Sequence, residues 1–311
     1  MKVNLCDHGV CPPAPAALQQ TPHYARALAA MGAHVQGVTA RVDACVAAQA
    51  LVVRRRIGPV TLNWLPRGPV WRAGLSTQER ETFLSCLTDI MPGGGIWISS
   101  ANDAEAAKDL AVHGFRPLIA PQSVAELDLA PPADTRLGAQ HGKWRNRLRH
   151  AQGQGLVVKQ RAFDPARDAD FLTTEAAQRR ARRYRALPLG FVTAFAAQNP
   201  GAARIWSACK DGALAAQILI LHHGVTATYH IGHSNDLGRK TSAHNLLLWE
   251  AQNWLAARDA VRLDLGPVYD EAAAGLARFK QRSGAELCTL GPSMIRLPRP
   301  SLFQKRHRRV A

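Results

Sequence analysis

The sequence predicts an α/β protein made of two similar subdomains in tandem, each a mixed sheet flanked by helices. Three observations carry that reading. The chain is 311 residues long, more than one compact unit usually holds, so two units of roughly 130–170 residues are the default. Strand-like and helix-like segments alternate from end to end. The two halves also finish alike: each runs through three strands, a long helix, a short strand, a helix that stops at a glycine (Gly114, Gly284) and a final strand, the mark of an internal duplication.

Taken in order, a helix at 22–31 precedes apolar, β-branched runs at 35–40, 46–56 and 59–65 that read as strands. A helix at 77–90, a short strand at 96–99 after Gly93-Gly94-Gly95, a helix at 103–113 and a strand from Phe115 complete the first half. Pro131-Pro132 breaks the chain and sets the boundary: 1–132, then 133–298, then a basic tail at 299–311 rich in helix breakers. The second half opens with a basic helix at 141–152, in which Trp144, Leu148 and Ala151 form an apolar stripe. It continues with a strand at 156–161, helices at 167–186 and 191–198, and strands at 203–209, 213–222 and 225–233. A helix at 243–259 buries Leu247, Ala251, Trp254 and Leu255 on one face, and a strand at 261–265, a helix at 272–283 and a strand at 285–290 close the pattern.

The net charge is +16, and only eight of the 39 basic residues are Lys. Arg is the planar, bidentate partner of phosphate and carboxylate, so an anionic partner such as a nucleotide, a nucleic acid or an anionic membrane surface fits. A base-composition bias would give the same excess. The N-terminus carries no signal-like apolar run and no stretch reaches ~18 apolar residues, which predicts a cytoplasmic protein. Six scattered Cys predict free thiols; Cys6-x4-Cys11, with His8 between, has no second ligand pair, so no metal is expected.

The chemistry concentrates between Tyr229 and Gly284. Ser242 is placed to cap the helix at 243–259, after a Gly238-Arg239-Lys240 turn, and a helix N-terminus beside two cations is a phosphate site in waiting or a plain solvated turn. Glu250 lies at the edge of that helix's apolar face, where desolvation would raise its pKa toward general-base use, or where it would form a salt bridge. Asp264, in Arg-Leu-Asp-Leu-Gly (262–266), sits in a short strand that disfavours it, which points to a cleft or to a structural hydrogen bond. Arg278-Phe279-Lys280 places a cation beside a core aromatic near a helix end. Arg179, Arg180, Arg182, Arg183 and Arg185, around Tyr184, form a second cationic cluster.

Together, Tyr229 to Ala251, Asp264-Leu265-Gly266 and Arg278-Phe279-Lys280 resemble the catalytic half of the Fem-type (FemAB-like, BioF2-like) branch of the GNAT N-acyltransferases. Arg67-Gly68-Pro69-Val70 and the basic segment Lys143 to Arg149 resemble its first-subdomain turn and second-subdomain opening helix. The resemblance implies two tandem GNAT-like subdomains with the active cleft in the second. It further implies transfer of an acyl or aminoacyl group to an amine by direct attack. Lys280 would stabilise the oxyanion or donor phosphates, Phe279 would pack on the donor, and Asp264 would orient the amine, with Tyr229 and Glu250 as further catalytic candidates. Gly238, Arg239, Lys240 and Ser242 would hold the donor, although the GNAT pyrophosphate spacing of Gln or Arg, two residues, Gly, one residue, Gly or Ala is not met. Arg67, Arg147 and Arg183 would hold substrate.

The donor implied is acyl-CoA, or else aminoacyl-tRNA, and no metal. The acceptor is an amine-bearing small molecule, a peptide or a peptidoglycan precursor. A silent fold that binds RNA or an anionic membrane is the competing class. Neither a nucleophile elbow nor a P-loop nor a dinucleotide fingerprint is present.

Overall fold

The computed structural model describes residues 2–7, 11–91, 95–182, 186–268 and 274–298. In the first half, β1 (Lys2–Asp7) leads through α1 (Pro22–Ala30) into β2 (His34–Val42), β3 (Cys45–Ile57), β4 (Val60–Pro66) and the two-residue β5 (Val70–Trp71). There follow α2 (Thr77–Ile90), β6 (Ile96–Ser100), α3 (Ala104–Val112), β7 (Arg116–Ile119) and β8 (Ser123–Asp128). The second half begins with α4 (Ala133–Ala139), α5 (Gly142–Gln152), β9 (Val157–Ala162), α6 (Ala169–Arg182) and α7 (Leu189–Gln198). It proceeds through β10 (Ala203–Lys210), β11 (Ala213–His222), β12 (Thr226–Ser234), α8 (Asp236–Thr241), α9 (Ala243–Ala256) and β13 (Arg262–Val268), and then α10 (Ala274–Arg282), β14 (Glu286–Thr289) and β15 (Ser293–Arg296).

The strands form two sheets of the same plan. One runs β1-β2-β3-β4-β6-β15-β7, with β5 beside β3; the other runs β9-β10-β11-β12-β13-β8-β14. In each, one central pair is parallel, β4 with β6 and β12 with β13. The long helix between those strands, α2 or α9, supplies the crossover that a parallel pair requires. The duplication read from the sequence is therefore structural. It has one twist: β8, from the first half, lies between β13 and β14, whereas β15, from the second, lies between β6 and β7. A boundary at 132 divides the chain but not the sheets.

Each sheet buries its own core. Leu65, Phe83, Leu84, Leu87, Trp97, Leu110 and Phe115 pack beneath α2 and α3. Trp144, Leu148, Ala151, Leu247, Ala251 and Leu255 pack α5 and α9 on the second sheet, as their spacing predicts, with Trp254 half-buried at the rim. A third cluster joins the halves, where Leu18, Tyr24 and Ala27 of the first meet Phe171, Phe191, Phe195, Leu219 and Ile231 of the second. Local signals agree at α2, where Ser76 and Glu79 form a capping box, an arrangement worth about 1 kcal/mol.

Candidate active site

The parallel pairing of β12 with β13 covers only Thr226 with Arg262, Ala227 with Leu263 and Thr228 with Asp264. Beyond it both strands are irregular. His230 is an extra residue between the Tyr229 and Ile231 pairings with β11, and Leu265-Gly266 slip between the Asp264 and Pro267 pairings with β8. The strands thus open a wedge whose backbone amides and carbonyls lack a ladder, the kind of place where a bulge serves a ligand.

Charges converge on this wedge from both halves. Arg67, in the left-handed conformation after β4, reaches Glu126 of β8 at 3.3 Å, Asp264 of β13 at 3.5 Å and Asn102 at 3.0 Å. Arg262 approaches the other Glu126 oxygen at 3.4 Å, and the Cys288 thiol donates to it at 3.8 Å. Asp264 also accepts from the Gly266 amide at 2.6 Å. The buried Asp264 and the partly buried Glu126 therefore face two guanidiniums. Lys280 is the surplus cation: only 6% exposed, it donates to the Pro267 carbonyl at 2.9 Å. Burial lowers its pKa to about 8, against the opposing pull of Asp264.

A second group lines the wedge on the α9 side. Tyr229 Oη lies 2.8 Å from His244 Nε2, and the His244 ring stands edge-on to Phe279, with 5.3 Å between centroids. Phe279 leans in turn on Trp144, at 6.0 Å. Burial drives the His244 pKa down to about 4, helped by nearby His233, so its imidazole is neutral at ordinary pH.

Next to it, α5 and the start of α9 border an open cleft of about 420 Å³ lined by Lys143, Asn146, Arg147, His150, Lys240 and Ser242. Here the structure corrects the sequence reading. Residues 236–241 are the short helix α8, capped by Asn235, rather than an open turn. Gly238 is buried, and a Cβ there would stand 2.2 Å from the Ala215 carbonyl oxygen, so its role is packing. Arg239 is tied back to Asp236 and to the Ser234 carbonyl. Ser242 takes a left-handed backbone and makes no side-chain cap bond. Cationic side chains of α5 and Lys240, not turn amides, line the cleft.

The structure therefore gathers Lys280, Asp264 and Arg67 at one point, Tyr229 and Phe279 at a second, and Arg147, Lys240 and Ser242 at a third. Arg67 is a buried bridge first, though its side chain also lines a cavity of about 190 Å³ in the first half, with Trp71, Arg80, Asn102 and Asp109. In that cavity Arg80 pairs with Asp109 at 3.1 Å, and burial raises the Asp109 pKa. Glu250 is half-buried, eight residues along α9 from Ser242, about 12 Å by helical rise, and does not join these groups. Arg183 lies outside the described residues, as does the tail from 299. In the arginine cluster, Arg179 is paired with Glu175 one turn earlier. Glu126 and His244 escape sequence reading; a His in the first turn of the helix nearest the candidate phosphate turn was the signal available for the second.

Two sheets of one plan, each with a central parallel pair and the second opened beyond that pair, make a tandem GNAT-like fold. Residues 139–281 match the family model described as an Acetyltransferase (GNAT) domain. The second half is thus similar to GNAT acetyltransferase domains, and the two-unit fold is like that of FemX. FemX superposes with a TM-score of 0.76 at 13% identity, over 90% of this chain and 92% of its own. L-PGS from Bacillus licheniformis gives 0.51 at 14% identity, over 92% and 88%. A conserved protein of unknown function from Bacteroides thetaiotaomicron gives 0.56 at 10%, over 91% and 93%. At these identities the likeness is one of fold. No curated protein matches the sequence. Among the described residues, no helix is long and apolar enough to cross a membrane.

Proposed function

We propose that the protein is an N-acyltransferase that moves an acyl group from acyl-CoA to an amine by direct attack, without a covalent enzyme intermediate. The observation that carries this is Lys280, buried beside the β12–β13 wedge with its ammonium on the Pro267 carbonyl and no ion pair to a carboxylate among the described residues. The amine nitrogen forms its bond to the donor carbonyl, and charge gathers on the carbonyl oxygen. A preorganised ammonium in a water-poor site stabilises that oxyanion far better than water does. The C–S bond then breaks with its electron pair on sulfur. Sulfur takes a proton from the Tyr229 hydroxyl, and the proton shed by the new amide nitrogen restores the phenol.

Donor phosphates would lie in the cleft between Lys143, Arg147 and Lys240. The amine, whether on a small molecule, a peptide or a peptidoglycan precursor, would enter from the side of Arg67 and Asp109. Asp264, held by Arg67, is then the group that orients it. We assign the reaction to the cytoplasm, where such donors are made.

A second reading, with aminoacyl-tRNA as donor and a ribose oxygen as leaving atom, is favoured by one feature. The cleft is open and lined by side-chain cations, which suits a phosphate backbone as well as a pyrophosphate. Thermal-shift screening against coenzyme A esters and charged tRNA separates the two, with stabilisation by one class alone expected. Donor-dependent amide formation that vanishes in a folded Lys280→Ala variant tests the chemistry; undiminished turnover in that variant would remove the assignment.

A further inference from the structure

We propose that the tip of the β3–β4 hairpin docks the protein on an anionic lipid bilayer, with Ile57 and Val60 entering the headgroup region and Arg55 and Arg56 meeting lipid phosphates around them.

The tip projects from its sheet. The outermost pairing of β2 with β3 joins His34 to Arg54, and β6 first meets β4 at Leu62. Residues 55–61 therefore run on as a two-stranded ribbon, and at ~3.3 Å per residue Ile57 stands about 10 Å past the end of β2. Within the ribbon Arg55 pairs with Leu62, Arg56 with Thr61 and Ile57 with Val60. Gly58, at φ 57°, opens the two-residue turn that Pro59 completes. Residues directly opposite share a face, as do residues two apart. Ile57, Val60, Arg55 and Leu62 thus line one face of the ribbon, and Arg56 and Thr61 the other.

Ile57 is 59% exposed and Val60 42%, side by side next to the turn. Single apolar side chains on a surface need no explanation, but a β-branched pair at the end of a projecting ribbon covers nothing of its own sheet. Behind it, neither Arg55 nor Arg56 pairs with a carboxylate among the described residues. Arg56 donates its Nε hydrogen to the Gly58 carbonyl at 3.2 Å. An apolar tip with cations behind it matches the boundary of a bilayer, where phosphates lie outside and hydrocarbon within. A single-stranded nucleic acid calls for cations together with rings on which bases stack. Here an aliphatic pair leads, and residues 55–61 include no aromatic. The net charge of +16 draws the whole molecule to the same anionic surface.

The test is sedimentation of the full chain with vesicles of phosphatidylcholine alone, or of equal parts phosphatidylcholine and phosphatidylglycerol, across a salt series. We expect binding to the mixed vesicles only, weakening as salt rises. Arg55→Gln together with Arg56→Gln should weaken it about 25-fold, at about fivefold per cation. Ile57→Ser together with Val60→Ser should weaken it about tenfold, with the salt dependence kept. All four positions are exposed, so thermal unfolding should be unchanged; should one pair of substitutions perturb folding, the other still decides. Mixed-vesicle binding that the Ile57 and Val60 variant retains in full, or no vesicle binding by the wild type, overturns the proposal. So does a finding that the tip variants abolish tRNA binding or self-association while vesicle binding stays as it was.

Discussion

Arg67 and Asp264 lie 3.5 Å apart although they stand 197 positions apart in sequence, the first following β4 of one sheet and the second ending the parallel run of β13 in the other. Arg67 also holds Glu126, so a single guanidinium neutralises charge on two strands of the second sheet. That pairing leaves Lys280 without an ion pair among the described residues, although Asp264 is near enough to pull on its proton.

Removing the guanidinium should therefore be felt at the lysine. In Arg67→Met, Arg262 still pairs with Glu126 but Asp264 loses its guanidinium, so Lys280 becomes the compensating cation and its pKa rises. The pH above which activity declines should move upward. Breaking such a buried pair should also cost about 3–5 kcal/mol of stability, read as a lower midpoint in denaturant.

The wild-type pH profile has a definite sign. If the ammonium of Lys280 stabilises the oxyanion, activity falls as pH rises through about 8, as kcat measured from pH 6.5 to 9.5 would show. Stability moves the other way. The folded pKa lies below that of the unfolded chain, so burying the cation opposes folding most below pH 8, and the opposition fades as pH climbs toward 10.5. Lys280→Met should be at least as stable as wild type at pH 7, while inactive.

On the acid side His23, His230 and His244 are each held to about 4 by burial. The unfolded chain takes up their protons first as pH drops, so stability should decline from about 6.5 to about 4 and level off below. The buried Nε2 of His230 has no hydrogen-bond partner among the described residues, so His230→Leu should flatten part of this slope in thermal unfolding measured across that range.

Charge removal in the cleft should separate binding from chemistry. Lys143→Gln, Arg147→Gln and Lys240→Gln should raise the donor KM with kcat nearly kept, additively for such exposed sites. With an RNA donor each would also make the dependence of log affinity on log salt shallower by about one unit.

The long periodic elements were legible in the sequence because one face decides them: α9, α5 and the strand triplets stand where their apolar spacing puts them. The short ones were not. Strand β8, Ser-Val-Ala-Glu-Leu-Asp, carries two acids, and β15, Ser-Met-Ile-Arg, is four residues long; neighbours in another part of the chain, not propensity, make them strands. Glu126 was invisible for that reason. Asp264 stood out as an acid in a strand that disfavours it and Lys280 through the family resemblance, and the structure brings the two within electrostatic reach. Ser242 failed as a cap because it also closes α8 in a left-handed conformation, outside the extended backbone from which a capping side chain reaches the first turn.

The crossing of β8 and β15 bears on how the molecule comes into being. Among the described residues, strand β7 joins its sheet through β15 alone, so the sheet that is synthesised first stays unfinished until residue 296 has left the ribosome. Neither half, expressed by itself, would own a full set of strands. The protein should melt as one body despite its repeated plan, and a cut or tag inserted between 290 and 296 would damage β6 and β7 in the other half of the chain.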